Sequence, residues 1–396
     1  MNAHGTYRIC TRCVMDTTDP AITFDVAGHC NHCTGYLAAA ARLPPRERRE
    51  AVLARWVDDT RRAGRGHDYD CLIGVSGGVD SSYVAWRVRE LGLRPLAVHL
   101  DNGWNSELAV GNIKRLLDRL GIDLFTVVLD WEEFRQLQLA FLRASTPDSE
   151  IPTDHAIVAT FYDQARRHGI RHIVSGVNFR TEGIHVRAWS QGHVDPYYVA
   201  GVYRRMTGRR LRAFPLIPMP RLINAIVLDR PRSIYLLDCI DYDKAAAKRL
   251  LAEQFGWVDY GGKHYESVYT RFYQGYILPV KFGYDKRRMH LSALVMSGQT
   301  TRESALAELA TPPYDADLAA ADRVFVAKKL GITVDESPHV ETREREGLPT
   351  DGALNGDARR GVFQHTPSPP EKGIEKSQAG QLPTQRAGLL ALLYVE

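Results

Sequence analysis

The chain has no long apolar run. Nothing in its 396 residues approaches the ~18 consecutive apolar positions of a membrane span, which excludes a helical membrane-spanning role. A surplus of one charge sign is missing too. The 51 basic side chains against 47 acidic ones leave a net charge of +4, too little for a dedicated nucleic-acid binder, although a local basic patch is compatible with it. Cysteine is scarce, at six residues, and Met1–Cys10 holds no apolar signal core, so the chain reads as cytoplasmic. Six cysteines in that setting argue against a disulfide scaffold and for metal or packing roles. What remains is globular in composition, 44% hydrophobic and 25% charged, and longer than one average domain needs.

Four of the cysteines form two Cys-x-x-Cys knuckles, Cys10/Cys13 and Cys30/Cys33, with sixteen residues between them. Each knuckle holds two thiolates on one tight turn, and two knuckles close a tetrahedral Zn²⁺ site. Four protein ligands leave no open position, so the expected role is structural. His32 is an alternative ligand. Cys71 and Cys239 lie in apolar runs and read as core residues, with a redox role the minority reading.

The most telling stretch is Ser76-Gly77-Gly78-Val79-Asp80-Ser81-Ser82. It follows the apolar run Cys71–Val75 and precedes a helical pattern to Leu91. Glycines let the backbone curl around an anion, and unpaired N–H groups at a helix start attract negative charge. Ser76, Ser81 and Ser82 add hydroxyls, so phosphate is the natural ligand. The ending is not the Gly-Lys-Ser/Thr of a Walker A loop. The run resembles the PP-loop of ATP pyrophosphatases, which split ATP into AMP and pyrophosphate while activating a carbonyl oxygen.

Strand and helix patterns alternate from about residue 69. Strands are expected at 72–75, 95–100, 124–129 and 170–175, and helices at 81–91, 108–120, 132–144 and 156–167. This predicts a Rossmann-like parallel sheet with helices on both faces. In such sheets ligands sit beyond the carboxyl ends of the strands. Three polar clusters fall there: Ser76–Ser82; His99, Asp101 and Asn102; and Ser175, Gly176, Asn178, Thr181 and Glu182. Turn chemistry and capping compete as the explanation for His99, Asp101 and Asn102 taken singly. Asp80 and Glu182 are the carboxylates expected near Mg²⁺ or pyrophosphate. The expected division is a zinc-binding module at 1–40, a helical linker at 41–68, the ATP-binding α/β domain at 69–190, a mostly helical substrate region at 191–335 and a disordered tail at 336–396. Within the helical region, Tyr260–Ser292 interleaves cations, aromatics and carboxylates. That pattern suits either an anionic, ring-bearing substrate or a solvated helix surface with core aromatics.

Taken together, the knuckles, Cys13–Pro20, the 76–82 turn, Asp101–Glu107 and Lys263-His264-Tyr265-Glu266-Ser267 resemble the N-acetyl sugar amidotransferases, over about residues 10–330. Those enzymes serve bacterial surface-polysaccharide, O-antigen-type biosynthesis. The resemblance implies ATP and Mg²⁺ as cofactors, and a UDP-linked acetamido sugar whose acetamido group becomes acetamidino through an adenylyl imidate. It implies ammonia from a separate glutaminase and a synthase-like subunit, in keeping with the absence of a glutaminase signature here. The catalytic candidates are Asp80, Lys263, His264, Glu266 and Arg271; His264 is one choice of general base. The ATP candidates are the three clusters above, and Lys281, Lys286 and Arg287 are the substrate-binding candidates. The alternatives are a zinc-containing PP-loop tRNA-modifying enzyme and a non-catalytic adaptor.

Overall fold

In the computed structural model, which describes residues 6–190, 193–218, 231–262 and 265–333, five parallel strands form one sheet in the order β3–β2–β1–β4–β5. The strands are β1 (Cys71–Gly74), β2 (Pro95–Asp101), β3 (Leu124–Val128), β4 (His172–Ser175) and β5 (Arg232–Tyr235). Ile73 is the register mark, opposite Ala97 on one side and Val174 on the other. β5 comes from beyond residue 190. It pairs with β4, so the apolar run around Ile234 completes the sheet.

The helices up to the sheet's far edge are α1 (Asn31–Ala40), α2 (Arg46–Ala63), α3 (Val79–Glu90), α4 (Glu107–Leu120), α5 (Trp131–Arg143), α6 (Ile151–Arg167), α7 (Phe179–Glu182), α8 (Pro196–Thr207) and α9 (Lys244–Phe255). Alternation along β1 explains why both sheet faces are covered. Cys71 and Ile73 pack with Val84 and Val88 of α3, Leu116 of α4 and Leu251 of α9, whereas Leu72 packs with Phe161 and Ala165 of α6. The helix starts obey local chemistry. Ser106 caps α4 through Ala109 N–H, Asp130 caps α5 through Glu133 N–H, and Asp243 caps α9 through Ala246 N–H.

After the sheet come α10 (Val268–Phe272), a π-helical stretch (Tyr273–Phe282), α11 (Arg287–Met296), α12 (Arg302–Ala310) and α13 (Ala316–Leu330). This helical region shares a core with the sheet's upper edge, in which Tyr269, Phe272, Tyr273 and Ile277 lie with Trp104, Phe134 and Phe141. The N-terminal knuckles are seated on it. Val14 N–H donates to Ser292 Oγ (3.1 Å), Arg288 donates to Val14 O (2.8 Å), and the Arg302 guanidinium reaches Cys10 O (2.8 Å) and Cys13 O (3.1 Å). Among the described residues no helix is long and apolar enough to cross a membrane. The expected tail, 336–396, lies outside the described residues.

Candidate active site and metal centre

The turn after β1 is held in shape by its own side chains. Ser76 N–H donates to Ser81 Oγ (3.3 Å), Gly78 N–H donates to Ser76 Oγ (3.3 Å), and Ser81 Oγ donates to Gly78 O (3.1 Å). From outside, Trp257 Nε1–H donates to Gly77 O (3.0 Å). Gly77 stands at φ +82°, and a Cβ there would lie 2.5 Å from Ala109 O, so both the conformation and the space require glycine. Gly78 is extended and caps α3, and a Cβ on it would meet Tyr260 Oη at 3.1 Å and Ser76 Oγ at 3.2 Å. Ser82 is buried in the first turn of α3.

Asp80 carries two partners that the sequence pattern did not single out. Tyr242 Oη donates to its Oδ1, and Lys244 Nζ lies 3.3 Å from its Oδ2. Burial works against the Lys244 charge, but Asp80, Glu182 and Glu266 outweigh it and raise the pKa. Burial and the charge of Asp80 push the Tyr242 hydroxyl far up, so it stays a donor. Three carboxylates from three segments therefore share one neighbourhood around one ammonium. Glu266 arrives because its segment is laced to the end of β2: Ser106 N–H donates to Glu266 O (2.8 Å), Val268 N–H donates to Trp104 O (3.0 Å), and Asn105 forms a bridge with Ser267.

The other two strand ends are largely self-bonded. His99 Nδ1–H donates to Val75 O (2.8 Å) and its Nε2 accepts from Asn105 (3.1 Å). Asp101 accepts from Gly103 N–H (2.8 Å), and Asn102 accepts from Trp104 N–H (3.1 Å). Ser175 Oγ accepts from Val177 N–H (3.1 Å), and Asn178 caps α7 by accepting from Arg180 N–H (2.9 Å). The buried Asn178 keeps its Nδ2 without a hydrogen-bond partner. Thr181 gives its carbonyl to His290, and Gly176 lies against Ser81 N. Lys263 and His264 lie outside the described residues.

The four cysteine sulfurs all lie within 4.8 Å of one another and are buried, with Cys13–Cys30 at 3.5 Å and Cys10–Cys33 at 3.9 Å. Tetrahedral Zn²⁺ with Zn–S near 2.3 Å requires sulfurs about 3.8 Å apart, so the set fits that ion. His32 is turned to Asp19, at 2.5 Å, and is not in the cluster. Among the described residues no other group of three or more cysteines, histidines or carboxylates is close enough to hold a metal directly. Mg²⁺ at the turn would thus depend on one or two carboxylates together with phosphate oxygens and water, its usual arrangement.

Residues 266–347 match the family described as LPS biosynthesis protein WbpG-like, C-terminal domain. The match bears out the family resemblance carried by the motifs. No curated protein matches the chain. Among solved structures it is similar to the NH3-dependent NAD synthetase from Campylobacter jejuni subsp. jejuni NCTC 11168 in complex with the nitrate ion, at 13% identity, 72% of this chain and 97% of that one, TM-score 0.32. It is also similar to NMN synthetase from Francisella tularensis, at 13% identity, 78% of this chain and 99% of that one, TM-score 0.32.

The WbpG-like segment begins at Glu266 and therefore supplies a rim residue of the turn. Its other candidate cations are engaged elsewhere. Arg271 forms a two-pronged pair with Asp322 (2.6 and 2.9 Å) and lies over the Tyr265 ring. Lys281 is buried, with Nζ donating to Leu142 O (2.9 Å). Arg287 pairs with Asp285 (2.7 Å) and with the carbonyls of Glu308 and Thr311. Lys286 acts electrostatically on a buried polar cluster missed in the sequence, made of Asp148, Glu150 and Asp154 with Ser190 and His193. Burial opposes ionisation of Asp148, but the hydrogen bond of His193 and the charge of Lys286 hold its carboxyl low. Burial raises Glu150, and burial plus the neighbouring carboxylates raise Asp154 further. No local signal marks this cluster, since its members come from two segments up to 45 residues apart, with Lys286 a further 93 residues on.

Proposed function

We propose that the chain is an ATP-dependent, AMP- and pyrophosphate-forming amidotransferase that converts the acetamido group of a UDP-linked N-acetyl sugar to acetamidino, in the cytoplasmic stage of surface-polysaccharide biosynthesis. One observation carries the reading. The reading is supported by the WbpG-like segment, a match to LPS biosynthesis proteins, opening with Glu266, whose Oε1 would lie 3.8 Å from a Cβ on Gly78 of the turn and whose charge acts on Lys244 together with those of Asp80 and Glu182.

An amide carbon is a poor electrophile and its oxygen a poor leaving group. Attack of the amide oxygen on the ATP α-phosphate would form the O–P bond of an adenylyl imidate, with pyrophosphate leaving. Ammonia would then add to the imidate carbon, lose a proton and expel AMP. The turn contributes N–H and hydroxyl dipoles already fixed by their mutual bonds, so little reorganisation is needed as charge develops on pyrophosphate. Mg²⁺, when bound, would neutralise phosphate charge, with Asp80 and Glu182 its protein ligands. Ammonia would come from a separate glutaminase with a synthase-like subunit.

The test is pyrophosphate release from MgATP with ammonium and a panel of UDP-acetamido sugars, with Asp80→Ala as control. Sugar-dependent release that the variant loses is the expected result. Release with tRNA and with no sugar would replace this reading by a tRNA-modifying one.

A further inference from the structure

The 76–82 turn offers hydroxyls and N–H groups but no full positive charge of its own. Part of that offer is already used internally, as Ser76 N–H is bonded to Ser81 Oγ and Gly78 N–H to Ser76 Oγ. A nucleotide's β- and γ-phosphates carry most of its charge and call for a positioned cation. Lys244 stands where one is needed. Its Nζ is 3.3 Å from Asp80 Oδ2, and its side chain and that of Asp80 remain 28% and 25% exposed, so an anion in solvent can reach both.

The lysine is also tightly tied to the turn. It opens α9, whose first turn is capped by Asp243, and α9 packs through Ala247 and Leu251 into the core that holds Val79, Val84 and Val88 of α3. The helix that carries the cation and the helix that the turn opens therefore move as one body.

We infer that Lys244 is the cation that receives the β- and γ-phosphates of a nucleotide at this turn, leaving Asp80 as they arrive, while Tyr242 keeps Asp80 in place. The inference rests on the ATP reading above. In the free protein Lys244 neutralises Asp80. An incoming phosphate chain offers more negative charge within reach of the same ammonium, and the lysine stem, with four rotatable carbons, makes the short swing. Tyr242 holds the other oxygen of Asp80, so the carboxylate is released on one side only. Its freed oxygen then faces the space where the phosphates lie.

The experiment is calorimetric titration of the full-length, zinc-loaded protein and its Lys244→Met and Lys244→Arg variants with magnesium pyrophosphate, MgATP and AMP, alongside thermal melts. For Lys244→Met, pyrophosphate and ATP are expected to bind about 10- to 100-fold more weakly, the value of a charge-assisted hydrogen bond. AMP, which lacks the outer phosphates, is expected to stay within about threefold. Lys244→Arg is expected to recover part of the loss, and Lys244→Gln replaces Lys244→Met if the latter does not fold. Equal pyrophosphate affinity in wild type and Lys244→Met would overturn the inference. A parallel loss of all three ligands with a lowered melt would overturn it too, since that is the mark of a structural lysine. A wild type that binds none of the three would overturn the ATP reading itself.

Discussion

Two adjacent glycines in the 76–82 turn are expected to fail in opposite ways when each gains one methyl group. Gly77→Ala places an L-residue at φ +82°, with its Cβ 2.5 Å from Ala109 O and 2.9 Å from Ala109 Cα. The left-handed backbone costs about 1–2 kcal/mol, and forcing α4 backbone aside adds about 1–3 kcal/mol. A total of roughly 2–5 kcal/mol corresponds to a fall in Tm of roughly 3–8 °C for a body of this size. Gly78→Ala is different. Its φ of −70° suits any residue, and the new Cβ meets only the movable tips of Tyr260 and Ser76 at 3.1 and 3.2 Å. Its effect on stability is expected within about 1 kcal/mol. The methyl group instead fills space between the turn, Tyr260 and Glu266, so MgATP binding is expected to weaken at least tenfold. Thermal melts paired with MgATP calorimetry on both variants decide the matter. A Gly77→Ala protein that melts with the wild type would refute the steric reasoning, as would a Gly78→Ala protein that melts early yet binds MgATP normally.

Removing the metal by chelation, or replacing Cys13 by Ser, is expected to lower the melting temperature and open residues 10–33 to proteolysis, because the segment is too short to pack without its ion; melts of metal-loaded and chelated protein check this. Burial pushes His155, His172 and His185 each down to about 4. The unfolded chain therefore binds more protons between about pH 6.5 and 4, and stability is lost as pH falls through that window, by up to about 3 kcal/mol per histidine. Both ring nitrogens of His172 lack a hydrogen-bond partner, so His172→Leu is expected to flatten the acid limb of a Tm–pH curve, and an unchanged limb would count against the assignment. Asp322→Ala strands the Arg271 guanidinium and the Tyr314 hydroxyl and is expected to cost about 2–4 kcal/mol, measurable by urea unfolding. A midpoint equal to that of the wild type would show that the pair is incidental.

The parts legible in the sequence were those written in local chemistry. The knuckles announce themselves by spacing. The turn after β1 does so by the switch from a buried apolar run to glycines and hydroxyls at a helix start. The parallel sheet followed from strand–helix alternation. β5 was hidden because a four-residue strand leaves almost no periodicity, and its partner β4 lies some 60 residues earlier. Tyr242 and Lys244 were hidden because an acid–cation contact across 164 residues leaves no trace in either segment. Lys281 shows the converse. Its place in a basic, aromatic stretch suggests a ligand contact, yet the π-helical turn points it inward to a backbone carbonyl. Composition reports which charges are present and not which way the helix faces them.

The seat of the metal knuckles has a consequence for how the chain is made. Val14 finds its partner Ser292 278 residues later, and at a synthesis rate of 5–20 residues per second that is a wait of roughly 15–55 s. The knuckle leaves the ribosome long before Ser292 and Arg302, the residues that complete its contacts. During that interval Arg302 is not yet there to donate to the carbonyls of Cys10 and Cys13, and the loop has only an ion, when bound, and its own bonds, such as Cys10 N–H to Met15 O (2.8 Å), to hold it. Metal supplied during translation is therefore expected to raise the yield of folded chain more than the same metal added afterwards.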